Sequence, residues 1–153
     1  MRNTGIESLY ANNVKIIDSG SITDCKKLKK VVLSKEIQSI GSYAFISCTS
    51  LQTIINFEYL KSIPARIFDS CCSILYLKIG QVSFIGEYSF NGCSAIAYIT
   101  IESTTPPELQ SITAFDGTNC FIYVPDDSVY SYKSATNWSS ISSRIKSISS
   151  FTQ

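Results

Sequence analysis

Three segments of the chain are near-copies of one another: Ile40-Gly41-Ser42-Tyr43-Ala44-Phe45-Ile46-Ser47-Cys48, Ile63-Pro64-Ala65-Arg66-Ile67-Phe68-Asp69-Ser70-Cys71 and Ile85-Gly86-Glu87-Tyr88-Ser89-Phe90-Asn91-Gly92-Cys93. In each, an Ile precedes the Phe by five residues and a Cys follows it by three; the Phe residues lie 23 and then 22 positions apart. A weaker copy, 17–25, has Ile22 in the Phe slot, and a loosened one runs from Leu109 through Phe115 to Cys120. A period in the low twenties is that of stacked supersecondary units, each burying its apolar face on the next. The chain has room for about five such turns, above the roughly three needed for a continuous core. It therefore reads as a solenoid and a single continuous domain.

The residues between the copies keep the same phase. After each Cys an apolar residue follows three on (Leu28, Leu51, Ile74, Ile96) and another three later (Val31, Ile54, Leu77, Ile99). A third lies two further on (Leu33, Ile79, Ile101), with Asn56 as the exception. That last step is the period-two alternation of a half-buried strand. A fourth apolar slot three before the Ile (Val14, Ile37, Leu60, Val82) marks a second extended run, and the step into the Phe fits a single helical or 3-10 turn. Stacking predicts Phe45, Phe68 and Phe90 as an aromatic column in the core.

The two ends differ from the middle. Residues 1–24 read as a partial first repeat with an unpaired strand edge, which points to a fragment of a longer protein. Thr104-Thr105-Pro106-Pro107 cannot continue a ladder and Asp116-Gly117-Thr118-Asn119 reads as a turn. Residues 1–120 are thus the repeats and 121–153 a C-terminal strand–helix cap. Cys120 to Val124 reads as a last strand leading into the cap, and Asp126-Asp127-Ser128 as helix N-caps. Trp138, Ile141, Ile145 and Ile148 recur at spacings that one helical face could bury.

Several function classes find no support. Thirteen basic against twelve acidic residues, for a net charge of +1, give no reason to expect nucleic acid. No apolar run approaches the ~20 residues of a membrane span, and the opening residues carry no visible signal peptide. There is no His to act as a base near neutral pH, no nucleophile elbow and no phosphate loop, so no catalytic residue is assigned. Four of the six cysteines (Cys25, Cys48, Cys71, Cys93) share one repeat slot, which predicts small buried thiols rather than disulfides; metal ligands and cofactors find no motif either.

The I-G-x-x-A-F-x-x-C core, with L-x-x-I beginning three after the Cys, resembles the BspA-like class of leucine-rich repeats. The tail from Ile122-Tyr123-Val124-Pro125 through Tyr132-Lys133 to Asn137-Trp138 and Arg144-Ile145 is similar to the ending of its bacterial members. The departures are Ile22 for Phe, Pro64 for Gly, Asn56 in a core slot and the displaced Cys120. The resemblance implies an α/β leucine-rich-repeat solenoid, often secreted or on the cell surface, that engages host, matrix or other cell-surface proteins. It implies no catalytic residue.

Function is then expected on the strand ladder, where the slots between core positions face outward. Read across repeats, they are Lys30, Thr53, Tyr76 and Tyr98, then Val32, Ile55, Lys78 and Thr100, then Ser34, Phe57, Gly80 and Glu102. The candidate partner-binding set is Lys30, Thr53, Ile55, Phe57, Tyr76, Lys78, Tyr98 and Thr100, since Tyr and apolar side chains on one face suit an interface. The same residues also suit cross-strand packing that merely stabilises a sheet. A protein-interaction or adhesion module is the first expectation. A carbohydrate surface using Tyr76, Tyr98 and Phe57 as platforms, or a spacer in a longer surface protein, are the alternatives. The basic run Lys26-Lys27-Leu28-Lys29-Lys30 reads either as a patch for an acidic ligand or as a solvated edge. Asn137-Trp138-Ser139 matches a glycosylation acceptor.

Overall fold

The computed structural model describes Arg2 and residues 4–151; Met1 and Asn3 of the expected first repeat, and Thr152 and Gln153 of the expected cap, lie outside them. In chain order the elements are β1 (Ser8–Ala11), β2 (Ile16–Ile17), β3 (Lys30–Leu33), β4 (Ser39–Ile40), β5 (Thr53–Ile55), β6 (Tyr76–Ile79), β7 (Phe84–Ile85), β8 (Tyr98–Ile101), β9 (Glu108–Leu109), β10 (Phe121–Val124), α1 (Val129–Ser134) and β11 (Ile145–Ser147). Short 3-10 turns punctuate them at Phe57–Tyr59, Ile112–Phe115, Asp126–Ser128, Trp138–Arg144 and Ile148–Ser150. Every strand pair is parallel, and each step along the ladder advances one repeat: Ser8 lies beside Lys30, Lys30 beside Thr53, Tyr76 beside Tyr98 and Tyr98 beside Phe121. A parallel ladder with one connection per turn is the solenoid that the period demands.

The aromatic column forms as expected and runs further. Phe45 stacks on Phe68 (5.6 Å between centroids), Phe68 on Phe90 (6.3 Å), Phe90 on Phe115 (5.4 Å), and Phe115 meets Trp138 (5.9 Å). Ring pairs of this kind contribute about 0.5–1.5 kcal/mol each beyond the area they bury. A backbone ladder runs beside the rings: the amides of Ile22, Phe45, Phe68 and Phe90 donate to the carbonyls of Ala44, Ile67, Ser89 and Ala114 of the next turn. The repeat cysteines bond in the reverse direction. Cys48 Sγ donates to the Ile22 carbonyl (3.1 Å), Cys71 to Phe45 (3.0 Å) and Cys93 to Phe68 (3.3 Å), so each thiol satisfies the carbonyl of the preceding ring slot. This is why a small, weakly donating side chain occupies that slot. Gly86 has a different constraint: a Cβ there would overlap the backbone of Pro64 and Ala65 in the turn below.

Several expectations are corrected. The strand ladder is not one sheet but two, β1-β3-β5 and β11-β10-β8-β6, because β5 and β6 do not pair with each other. Asn56 is the cause. It sits in the left-handed region (φ 67°), its Nδ2 donates to the Leu33 carbonyl (2.8 Å), and the chain leaves the strand for the 3-10 turn at Phe57. Phe57, expected on the outer face, is therefore only 2% exposed and packs on Phe68 at 5.2 Å. Ser34 and Gly80 of the same row are buried too; a Cβ on Gly80 would overlap the Glu58 carbonyl of that turn.

The expected count of about five repeats is also low. Among the described residues seven strands climb the ladder, because β11 adds a turn beyond the expected last strand, with Ile145 beside Ile122. The expected helical face of Trp138, Ile141, Ile145 and Ile148 does not exist: after six-residue α1, Trp138 lies in a 3-10 turn, Ile145 in a strand, and Ile148 is exposed. Asp126 caps no helix; it accepts instead from Ser147 Oγ and from the Ser149 amide (3.1 Å), tying down the C-terminal segment. Val14, expected as an apolar core slot, is exposed at the first turn.

The cap closes the core with polar atoms satisfied. Trp138 Nε1 donates to the Pro107 carbonyl (2.8 Å), the Tyr132 hydroxyl to the Ser103 carbonyl (2.9 Å), and Arg144 Nε to the Cys120 carbonyl (2.9 Å). A terminal turn of altered composition is what a repeat stack requires to end without an open apolar face.

Candidate functional site

Alternation along the strands decides what the ladder offers to solvent. In β6, β8 and β10 the residues Leu77, Ile79, Ile99, Ile101, Ile122 and Val124 are buried, and their neighbours point out. The β1-β3-β5 half presents Ser8, Lys30 and Thr53 in one row and Tyr10, Val32 and Ile55 in the next. Lys30 Nζ lies 6.0 Å over the Tyr10 ring, a cation–π pair inside the face.

The other half is aromatic. Tyr76 and Tyr98 stack at 5.6 Å with planes 11° apart, Tyr98 meets Tyr123 edge-on at 6.4 Å, and Phe121 meets Tyr123 at 6.5 Å. Tyr76 and Phe121 remain 48% and 47% exposed. Charges frame them. Lys78 pairs with Glu102 (2.9 Å), whose carboxylate raises the lysine pKa through a hydrogen bond, and Lys146 Nζ lies 5.5 Å from the Phe121 ring. Phe151, after the final 3-10 turn, lays its ring over Tyr98 (4.6 Å) and Tyr123 (4.8 Å).

Of the eight residues expected to form the site, Tyr76, Lys78, Tyr98 and Thr100 come together on the β6-β8 face. Lys30, Thr53 and Ile55 lie on the face too, but on the other sheet, across the Asn56 break. Phe57 is in the core. Phe121 and Tyr123 were legible: the alternation Phe121-Ile122-Tyr123-Val124 puts them in the outward rows once Ile122 is placed in the core. No pattern marks Phe151, which reaches the face only through the path of the cap.

Elsewhere, polar clusters are tied up within the fold. Arg66 lies 4.2 Å over the Tyr88 ring and 6.0 Å from that of Tyr43, all three at the same repeat position with positive φ, and it holds Asp69 at 2.9 Å. In the basic run, Lys29 pairs with Glu7 (3.1 Å). The amide of Asn137 donates to the Leu109 carbonyl (2.7 Å), so the acceptor nitrogen of the Asn137-Trp138-Ser139 motif is already used. Burial pushes the thiols of Cys48 and Cys93 up to about 12 and that of Cys71 in the same direction, which keeps them protonated. Among the described residues no group of three or more His, Cys, Asp or Glu side chains is placed to hold a metal, and no helix is long and apolar enough to cross a membrane.

Seven parallel ladder strands, a buried ring column and a closing cap define a leucine-rich-repeat solenoid. The chain belongs to the BspA-type leucine-rich-repeat family, whose repeat region matches it in six copies over residues 15–123. Among solved structures it is similar to a leucine-rich cell-surface protein of Faecalibacterium prausnitzii, with 25% identity and a TM-score of 0.68 over 78% of this chain and 32% of that one. It also shares the fold of the pneumococcal vaccine antigen PcpA, at 16% identity and a TM-score of 0.63 over 93% of this chain and 40% of that one. The chain thus spans about a third to two fifths of the length of these relatives. No curated protein matches it significantly in sequence.

Proposed function

We propose that the chain is a non-catalytic recognition module of a cell-surface protein and binds a protein partner through the β6-β8-β10 face. The observation that carries this reading is the outward aromatic row, in which Tyr76 stacks on Tyr98 and Phe121 stands beside Tyr123. Tyrosine offers large area and a polar tip at a small entropy cost, and an aromatic patch framed by Lys78, Glu102 and Lys146 has the apolar centre and polar rim of a protein interface. The likeness to a cell-surface protein supports exposure of such a module outside the cell. The carbohydrate reading is disfavoured by geometry. Phe57, one of its three platforms, is buried, and Tyr76 and Tyr98 turn ring faces toward each other rather than toward a sugar.

Binding of the purified chain to a panel of immobilised host-surface and matrix proteins, beside a glycan array, tests this. The expected result is a protein ligand whose affinity falls at least about tenfold when Tyr76 and Tyr98 are both changed to Ser, with the circular dichroism spectrum unchanged. Retained affinity in that double variant, or a ligand found only among the glycans, would overturn it.

A further inference from the structure

The C-terminal segment does something the rest of the cap does not: it crosses back onto the ladder face. At the end of β11 and just beyond it, Asp126 holds Ser147 and Ser149, and the next turn delivers Phe151 onto Tyr98 and Tyr123. The Phe151 ring completes no core, since the column beneath already ends in Trp138 and the strands below are sealed by Ile99 and Ile122. What it fills is a cradle between outward-facing rings, walled by Tyr98 and Tyr123, with Tyr76 and Phe121 beside them. Its segment is short, serine-rich and largely exposed, so few apolar contacts other than this ring hold it.

We infer that the Tyr98–Tyr123 cradle is a receptor for one aromatic side chain of an extended protein segment, and that Phe151 occupies it in cis until a partner's aromatic residue replaces it. The inference deepens the proposed role of the face and rests on it, naming the chemistry of the partner as a peptide with an aromatic anchor. A seated aromatic residue of the chain itself shows which chemistry the cradle accepts: a flat ring with tilted and edge-on contacts at 4.6 and 4.8 Å. Because Phe151 is tethered six residues beyond Ile145 of β11, it competes at high effective concentration, and an incoming segment must outbid it. The tail thereby weakens promiscuous binding by stray aromatic peptides and favours partners that also engage Lys78, Glu102 or Lys146 at the rim.

The test uses the full chain carrying Phe151→Ala and a labelled synthetic peptide of its own C-terminus, Ile-Ser-Ser-Phe-Thr-Gln, followed by NMR titration. The peptide is expected to bind the F151A chain at least about fivefold more tightly than the unaltered chain, shifting the ring resonances of Tyr98 and Tyr123. Binding should vanish when the peptide's Phe is replaced by Ala, or when Tyr98→Ser is added to F151A. Equal binding to both chains, binding that survives loss of the peptide's ring, or no binding to F151A would overturn the inference. So would self-association of F151A through the cradle, or an oligosaccharide that occupies it in preference to the peptide. Those failures differ from failure of the broader role, which the paired Tyr76 and Tyr98 substitutions read out independently with the protein partner.

Discussion

The indole of Trp138 packs on the ring of Phe115 with centroids 5.9 Å apart, so the cap supplies the last ring of a column that begins in the repeats. The same indole donates to the Pro107 carbonyl at 2.8 Å, while Tyr132 meets it edge-on at 5.1 Å. One side chain therefore fills the ring slot of its turn and satisfies a buried carbonyl. Trp138→Ala should cost about 3–5 kcal/mol through the cavity it leaves, and Trp138→Phe about 1–2 kcal/mol, chiefly for the orphaned Pro107 carbonyl. Urea denaturation of the two variants checks this; a Trp138→Phe chain as stable as the native one would mean the hydrogen bond contributes nothing.

Asn56 breaks the strand ladder by adopting a left-handed backbone and bonding to Leu33. Replacement by Gly keeps the backbone freedom but loses the bond, whereas replacement by Ala loses both. The expected order is Asn56→Ala worse than Asn56→Gly, by about 2 and about 1 kcal/mol relative to the native chain. Thermal melts followed by circular dichroism would report it, and the reverse order would show that strain at φ 67° is not what the asparagine relieves.

The thiols make stability depend on alkaline pH. Burial raises Cys48 and Cys93 to about 12 in the fold, whereas in the unfolded chain they ionise near their ordinary value. A raised folded pKa contributes stability that is complete below the unfolded value and is lost as pH climbs through the folded one. The loss should begin at about pH 9 and continue to about pH 12. Tyr132, raised by burial as well, adds to the fall in the same direction. A chain with Cys48 and Cys93 both changed to Ala should be less stable at neutral pH yet show a shallower decline above pH 9, as measured by urea midpoints across that range. An unchanged slope would mean these thiols are not linked to folding.

Much of the fold was legible because one residue type recurs at each buried slot. Phe45, Phe68 and Phe90 announce the column, and the cysteines announce the turn that feeds the next strand. The ladder face was half legible: the outward rows follow from period-two alternation, which is how Tyr76, Lys78, Tyr98 and Thr100 emerge from the sequence. Phe57 was misplaced because counting along a strand assumes the strand continues, and a single left-handed Asn56 ends it. β11 and Phe151 escaped notice for a different reason. Ile145-Lys146-Ser147 is too short and too rich in serine around it to signal a strand, and the contact of Phe151 with Tyr98 depends on where the whole cap deposits the tail.

Hydrogen–deuterium exchange on the chain bound to its protein ligand tests the central claim most directly, because it reads every turn of the solenoid at once. The account predicts protection concentrated in 76–79, 98–101 and 121–124, with the segment around Phe151 exchanging faster as its ring is displaced, and no change at 30–33. Protection on the turns that carry Tyr43, Arg66 and Tyr88, with the aromatic strands unaffected, would contradict it.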